Sequence, residues 1–256
     1  MEYGLIGEKL GHSYSKPIHE MLADYTYEIC PLTKEEFPIF MEKREFRAIN
    51  VTIPYKRDVI PYLTTIDEKA KSIGAVNTIV NHNGKLHGYN TDYPGLLYSL
   101  RHNHITLAGQ KVLVLGNGGA AQAVFAILRD EGAREILTVK YKEEPGTITY
   151  EEARAYHTDA DLIINTSPVG MYPNTDRTPM DLTPYENCKA VVDLIYNPAE
   201  TLLLSQARTL GKITINGLEM LVAQAKYAAE HFLGRLIPDT ETDRVYQAML
   251  TYKPNH

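Results

Sequence analysis

The chain is poor in sulfur chemistry. Its two cysteines, Cys30 and Cys188, lie far apart and form no C-x-x-C motif, which reads as two buried thiols and excludes a redox pair. Metal-ligand spacing is also missing. Neither His82 and His87 nor His102 and His104 stand with acidic partners as a zinc site requires. There is no excess of positive charge: Lys and Arg number 26 against 32 Asp and Glu, a net charge of −6. No basic field for nucleic acid follows from that balance. No apolar run approaches the ~20 residues that span a bilayer, and the first residues lack the charged-then-apolar order of a signal peptide. The expectation is a cytoplasmic protein with neither membrane nor nucleic-acid partner. Repeats, low-complexity tracts and long linkers are absent as well.

What is present is a globular composition, 44% hydrophobic and 23% charged over 256 residues. That length makes one large domain or two ordinary ones, with enough core to need no disulfide or metal. The most informative stretch is Lys111-Val-Leu-Val-Leu-Gly-Asn-Gly-Gly-Ala-Ala-Gln122. Val112 to Leu115 is a short apolar run, as expected of a strand buried on both faces of a parallel sheet. Gly116, Gly118 and Gly119 turn the chain, and Ala120 to Arg129 has helical spacing. Strand, glycine turn and helix N-terminus together form an anion site suited to a pyrophosphate. Ala121 takes the last position of G-x-G-x-x-G/A, where a small residue permits close packing. The plainer alternative is a tight βα turn with no ligand.

The next strand ends at Val139-Lys140-Tyr141-Lys142, with no clear acidic residue for the ribose of NAD. The two lysines suit a 2′-phosphate and hence NADP; Glu143 and Glu144 pull the other way.

Strands are expected at Tyr3–Ile6, Tyr25–Cys30, Ala48–Ile53, Asn77–Val80, Leu86–Tyr89, Ile136–Val139, Leu162–Asn165, Ala190–Leu194 and Ile213–Ile215. Helices are expected from Lys16 to Asp24, from Asp67 to Ile73, from Asn90 to Arg101, from Leu218 to Phe232 and from Glu241 to Thr251. Thr33 and Glu36 form a capping box, and Asn83-Gly84 a hairpin turn. Residues 145–150 read as irregular and the last four as frayed. Alternating strands and helices make an α/β fold: an N-terminal α/β unit and a Rossmann-like unit, with a polar joint near residues 100–110. The two C-terminal helices have no strand of their own to cover. Their return to the first unit would leave a cleft between the halves, with a first domain of residues 1–100 plus 218–256 and a second of 101–217.

The N-terminal half concentrates small polar groups at strand ends. Ser13 and Ser15 share a loop. Asn50 and Thr52 fall on one strand face by the period of two, with Lys56 just beyond. Gly74-Ala-Val-Asn-Thr78 brings Asn77, and Gly88-Tyr-Asn-Thr-Asp92 brings a carboxylate. Such a set suits a polyhydroxylated, anionic small molecule. Each residue has a bland reading too: Ser15 and Asp92 as helix caps, Asn50 and Thr52 as strand edge, Asn77 as a turn amide, Lys56 as a solvated lysine.

Taken together and in order, seven motifs closely resemble the shikimate dehydrogenase family. They are Gly11-His-Ser-Tyr-Ser15, Asn50-Val-Thr-Ile-Pro-Tyr-Lys56, Gly74-Ala-Val-Asn-Thr78, Gly88-Tyr-Asn-Thr-Asp92, Gly116-Asn-Gly-Gly-Ala-Ala121, Asp193-Leu-Ile-Tyr-Asn-Pro198 and Asn216-Gly-Leu-Glu-Met-Leu-Val-Ala-Gln224. The resemblance runs from about Gly4 to Gln224. It implies NADPH-dependent reduction of 3-dehydroshikimate to shikimate in aromatic amino-acid biosynthesis, by a substrate domain and a Rossmann domain separated by a cleft. It implies Lys56 and Asp92 as catalytic residues. Ser13 and Ser15 would hold the substrate carboxylate, with Thr52, Asn77, Asp92, Tyr196 and Gln224 completing the substrate set. On the cofactor side it implies Gly116, Asn117, Gly118, Gly119 and Ala120, then Lys140, then Asn165, Thr166 and Ser167, and Gly217 beside the nicotinamide. A homodimer is compatible with the chain, whose sequence does not fix an oligomeric state.

The chain departs from the family pattern in places. Lys16 stands where proline follows the serine loop. Asn117 and Gln122 replace a common alanine and arginine. The family's N-R-T lines up with Val139-Lys140-Tyr141, so the charge is kept but the bidentate fork is lost, and Glu144 occupies a position where another arginine often sits. NADP is the implied cofactor, with NAD or dual use left open. Two other readings stay in play: an NAD-using quinate/shikimate dehydrogenase, and a catalytically silent ligand-binding member of the fold.

Overall fold

The computed structural model describes residues 1–11 and 13–252. His12 of the serine loop and Lys253–His256, the end expected to fray, lie outside the described residues. Two compact units emerge: Met1–Leu96 with Leu221–His256, and Leu97–Met220.

The chain opens with β1 (Tyr3–Gly7), α1 (Ser15–Leu22), β2 (Tyr27–Pro31), α2 (Glu36–Lys43) and β3 (Ala48–Val51). A 3₁₀ turn at Ile60–Tyr62 leads to β4 (Thr65–Ile66), α3 (Glu68–Ile73), β5 (Thr78–His82), β6 (Lys85–Tyr89) and α4 (Asp92–His102). Then come β7 (Lys111–Leu115), α5 (Gly119–Asp130), β8 (Glu135–Lys140), β9 (Ile148–Thr149), α6 (Tyr150–Tyr156) and β10 (Leu162–Asn165). The remaining elements are β11 (Ala190–Asp193), α7 (Leu202–Thr209), β12 (Ile213–Ile215), α8 (Gly217–Leu233) and α9 (Asp239–Leu250).

The first unit's sheet runs β2-β1-β3-β5-β6-β4. β1 pairs parallel with β2 and β3, whereas β5 is antiparallel to β3 and β6. Asn83 and Gly84, at φ 54° and 82°, close the β5–β6 hairpin as expected of an Asn-Gly turn. One face of this sheet packs Ile6, Met41, Ile49, Val59, Ile79 and Leu86. The other packs Tyr3, Leu5, Tyr27 and Val80 against Ala228 and Phe232 of α8.

The second unit's sheet is wholly parallel, in the order β12-β11-β10-β7-β8-β9. Numbered within the unit this is 6-5-4-1-2-3, the doubly wound Rossmann order. The apolar run of β7 is fully buried, as a strand covered on both faces must be. Leu113, Val139, Ile163 and Val191 share a core with Leu203, Leu204 and Ala207 of α7. No helix among the described residues is long and apolar enough to cross a membrane.

Three local expectations need correction. Ser15 does not cap α1: Tyr14 holds the N-cap position without a side-chain bond, and Ser15 is the first helical residue. The third strand stops at Val51, because the chain turns there, with Tyr55 N–H donating to the Thr52 carbonyl at 2.9 Å; Thr52 therefore does not share a strand face with Asn50. The stretch expected to be irregular holds β9 and a capping box, in which Thr149 and Glu152 satisfy each other's backbone donors and start α6.

Candidate active site

In the first unit the ends of β1, β3 and β6 and the start of β5 lie at one edge of the sheet. Backbone bonds gather them. Val51 N–H donates to the Asn77 carbonyl at 2.8 Å, Asn77 N–H to Tyr89 at 3.0 Å, and Val76 N–H to Lys56 at 2.8 Å. The residues 36 positions apart in sequence therefore meet: Lys56 Nζ donates to Asp92 Oδ2 at 2.5 Å. Their side chains are 15% and 11% exposed, so the pair is largely out of bulk water and still reachable by a small ligand.

Asp92 is oriented by a second donor, Asn77 Nδ2, at 2.9 Å from Oδ1. Asn77 can face only that way. Its Oδ1 already accepts from Thr91 N–H at 2.8 Å and Thr78 Oγ1 at 3.0 Å. Behind it, Asn50 Nδ2 donates to Thr78 Oγ1 at 3.0 Å and to the Asn77 carbonyl at 3.2 Å. The Tyr27 hydroxyl fixes Asn50 in turn by donating to its Oδ1 at 2.7 Å. Tyr27, Asn50, Thr78 and Thr91 are buried, where each unmet polar group would be costly. The sequence suggested Asn50 as one of the polar groups offered to a small molecule, with strand edge as the plainer alternative. Its amide is instead engaged by Tyr27, Thr78 and the Asn77 carbonyl, and Tyr27 and Thr91 were missed. The available signal was a run of hydroxyls and amides within otherwise apolar strands.

His19 stacks on the Tyr27 ring, with centroids 4.0 Å apart, and its Nδ1 lies 2.7 Å from the Tyr25 hydroxyl. Burial pushes its imidazole down to about 3, with Asn50 acting weakly in the opposite direction. On the serine loop, Ser15 N–H donates to Ser13 Oγ at 3.2 Å. Thr52, half-buried, follows β3. Gln224 is half-buried on α8, and Gly95 is needed where α4 passes it: a Cβ there would sit 2.8 Å from the Gln224 nitrogen.

The second unit places its candidates at the ends of the two central strands, where the strand order reverses between β7 and β10. Ligands of doubly wound sheets bind at such a switch point. Gly116 turns at φ 97°, and a side chain there would press on Thr166 Oγ1 at 3.1 Å. Thr166 Oγ1 itself donates to the Leu115 carbonyl at 2.8 Å. Gly118 caps α5 without a side-chain bond, and space above Gly118 and Gly119 is open to at least 4 Å. First-turn N–H groups left without a cap, under open space, fit an anion such as a pyrophosphate. Asn117 is exposed and Ala120 half-buried beside them; Gln122 Nε2 donates to Asn117 Oδ1 at 3.1 Å.

Asn165 Oδ1 accepts from Ser167 N–H and Oγ at 3.0 and 2.7 Å, while its Nδ2 donates to Asp193 Oδ1 at 3.0 Å. Asp193, quoted in a motif but given no role from sequence, is fully buried. Burial raises its carboxyl to about 6, against the hydrogen bonds from Thr201, Ile195 N–H and Asn165. Gly217 is required by contact, since a Cβ would overlap the Leu194 carbonyl. Tyr196 is half-buried just after β11. Lys140 ends β8, and its Nζ pairs with Glu144 Oε2 at 2.5 Å.

A doubly wound sheet with an uncapped glycine turn at its switch point defines the dinucleotide-binding class of α/β proteins. Comparison with known proteins narrows this. Residues 5–79 match the family described as shikimate dehydrogenase substrate binding domain. A "Shikimate dehydrogenase (NADP(+))" of Clostridium beijerinckii is 41% identical over 243 residues, covering 89% of this chain and 90% of the relative. Among solved structures, shikimate dehydrogenase 1 of Peptoclostridium difficile superposes with a TM-score of 0.89 at 35% identity, covering 98% of both chains. The Thermus thermophilus shikimate 5-dehydrogenase, solved in complex with NADP(H) and shikimate, gives 0.85 at 29% identity, over 97% of this chain and 99% of that one. The chain belongs to the shikimate dehydrogenase family.

Proposed function

We propose that the protein is an NADP-dependent shikimate dehydrogenase, reversibly reducing 3-dehydroshikimate to shikimate, and that the Lys56–Asp92 pair moves the proton. Bound NADPH supplies the hydride to the substrate's carbonyl carbon. As negative charge develops on the carbonyl oxygen, the Lys56 ammonium donates a proton to it; in the oxidative direction the neutral amine takes the alcohol proton back. Asp92 orients that ammonium, and Asn77 holds Asp92. General acid–base help of this kind contributes about 10²–10⁴-fold.

The remaining substrate contacts divide by chemistry. Ser13 and Ser15 hold the carboxylate; Thr52, Asn77, Tyr196 and Gln224 read the hydroxyls. Residues Gly116–Ala120 receive the pyrophosphate, Lys140 faces the 2′-phosphate, and Asn165, Thr166, Ser167 and Gly217 flank the cofactor. The first unit is thus the substrate domain and the second the cofactor domain. A net charge of −6 and the paired catalytic groups fit small-molecule partners, a cytoplasmic setting and no nucleic acid. A homodimer fits equally, and light scattering on the purified chain decides it.

The observation that carries this reading is the largely buried Lys56–Asp92 pair with Asn77 on its far oxygen. Spectrophotometry with shikimate or quinate, each with NADP+ or NAD+, tests it. Shikimate with NADP+ is expected to be the best pair. A clear preference for quinate or for NAD+ would replace it with the quinate/shikimate alternative, and no turnover with any pair would point to a silent binding protein.

A further inference from the structure

The end of the second Rossmann strand is where such folds read the ribose 2′ position. An acidic side chain there accepts the 2′-hydroxyl of NAD, and a cation receives the 2′-phosphate of NADP. This chain presents both at once. Lys140 Nζ and Glu144 Oε2 are 2.5 Å apart, with side chains 26% and 48% exposed, so a ligand can reach either. The backbone that carries Glu144 is held in a turn. The Glu144 carbonyl accepts from both Thr147 N–H and Thr147 Oγ1 at 3.0 Å, and Gly146 turns at φ 76°. The chain then runs into β9, whose Thr149 sits in register with Lys140. The Lys140 pair keeps the Glu144 carboxylate beside the last residue of β8.

A solvated ion pair contributes little to stability, but here it changes what the strand end offers a ligand. A 2′-phosphate drawn to Lys140 meets a carboxylate already on the ammonium. It must displace that charge or sit beside it. Lysine, lacking the bidentate fork of arginine, grips the phosphate through a single compact charge. A 2′-hydroxyl meets no repulsion and finds an acceptor.

We infer that Glu144 sets cofactor choice in this protein, weakening the Lys140 hold on a 2′-phosphate while accepting a 2′-hydroxyl, so that NAD is bound alongside NADP. This rests on the second unit being the cofactor domain. The bland outcome, a pair that never meets the cofactor, makes a different prediction for the binding constants.

The test is direct binding of NADP+, NAD+ and 2′,5′-ADP to the full chain, by calorimetry and without substrate. Removing one negative charge a few ångströms from a phosphate dianion is expected to tighten NADP+ and 2′,5′-ADP by about fivefold in Glu144→Gln. NAD+ should weaken or hold in the same variant. Lys140→Gln should weaken NADP+ and 2′,5′-ADP and leave NAD+ within about twofold. A Glu144→Gln chain whose NADP+ to NAD+ ratio stays at the wild-type value overturns the inference while leaving the cofactor reading standing. A wild-type chain that binds neither dinucleotide overturns the cofactor reading and this inference with it.

Discussion

The edge of the first sheet and the glycine turn of the second are built on opposite plans. Around Lys56 and Asp92 the protein satisfies itself: Tyr27, Asn50, Thr78, Asn77 and Thr91 pass hydrogen bonds inward until the carboxylate has two donors. Around Gly116 to Gly119 the protein stays open, with a helix N-terminus that no side chain caps and nothing within 4 Å above Gly118 and Gly119. A group that must transfer a proton gains from being aimed before the ligand arrives. A group that must hold a large anion gains from unpaired backbone donors. Mutations should separate the two plans.

After loss of Lys56 itself, the largest effect is expected from Asp92→Asn. It sets an amide against two donors, Lys56 Nζ and Asn77 Nδ2, and should lower kcat by about 100-fold with cofactor affinity unchanged. Equal losses in kcat and in NADP+ binding would mean that the pair is not a dedicated proton-transfer site. In the second unit, Gly217→Ala drives a methyl into the Leu194 carbonyl. Its expected cost is about 2 kcal/mol or more in unfolding free energy, read from denaturant melts. Gly118→Ala meets no atom, so its melt should stay near wild type while NADP+ affinity falls about fivefold, roughly 1 kcal/mol. If Gly118→Ala destabilised the fold instead, the turn would be structural and the open-site reading of it wrong.

The units should also titrate in opposite senses. His19 has its folded pKa lowered from 6.5 to about 3. The unfolded chain binds the extra proton, and the stability His19 contributes above pH 6.5 is lost as pH falls. Between pH 7 and 5 that is about 2 kcal/mol against the first unit. Asp193 has its folded pKa raised from 3.8 to about 6. Its contribution is fully present below pH 3.8 and is lost as pH rises through 6, so the same acidification favours the second unit by about 1 kcal/mol. Amide exchange at pH 5 and 7 should show β1 and β2 losing protection relative to β10 and β11, and Asp193→Asn should flatten the second response. Protection falling equally in both units would contradict the assignment. The smallest effect is expected from Tyr27→Phe, which frees the Asn50 amide to turn. A fewfold loss of kcat with KM unchanged is the outcome; an unchanged kcat would make the hydroxyl purely structural.

Much of this was legible in the chain. The β7 run and its glycines read correctly because burial on both faces and a sharp turn leave a local signature. The Asn83-Gly84 hairpin and the Thr33–Glu36 box, whose two bonds are 2.9 and 3.2 Å, read correctly for the same reason. Long-range partners did not. Nothing local says that the Tyr27 hydroxyl reaches Asn50, 23 residues on, or that Asp193 backs Asn165 from 28 residues away. Serine at position 15 looks like a cap because its side chain is of capping type, yet it is the first helical residue, Tyr14 holds the cap position, and the Ser15 N–H donates to Ser13 Oγ. The two-residue β9 was invisible because a strand so short has no period to detect.

The central claim is that Lys56 gives and takes the proton. Steady-state rates of 3-dehydroshikimate reduction by wild type and Lys56→Ala, with NADPH affinity measured on the same samples, test it most directly. The account predicts a kcat lower by about 100-fold or more at unchanged NADPH affinity; a Lys56→Ala enzyme turning over at a near-normal rate would contradict it.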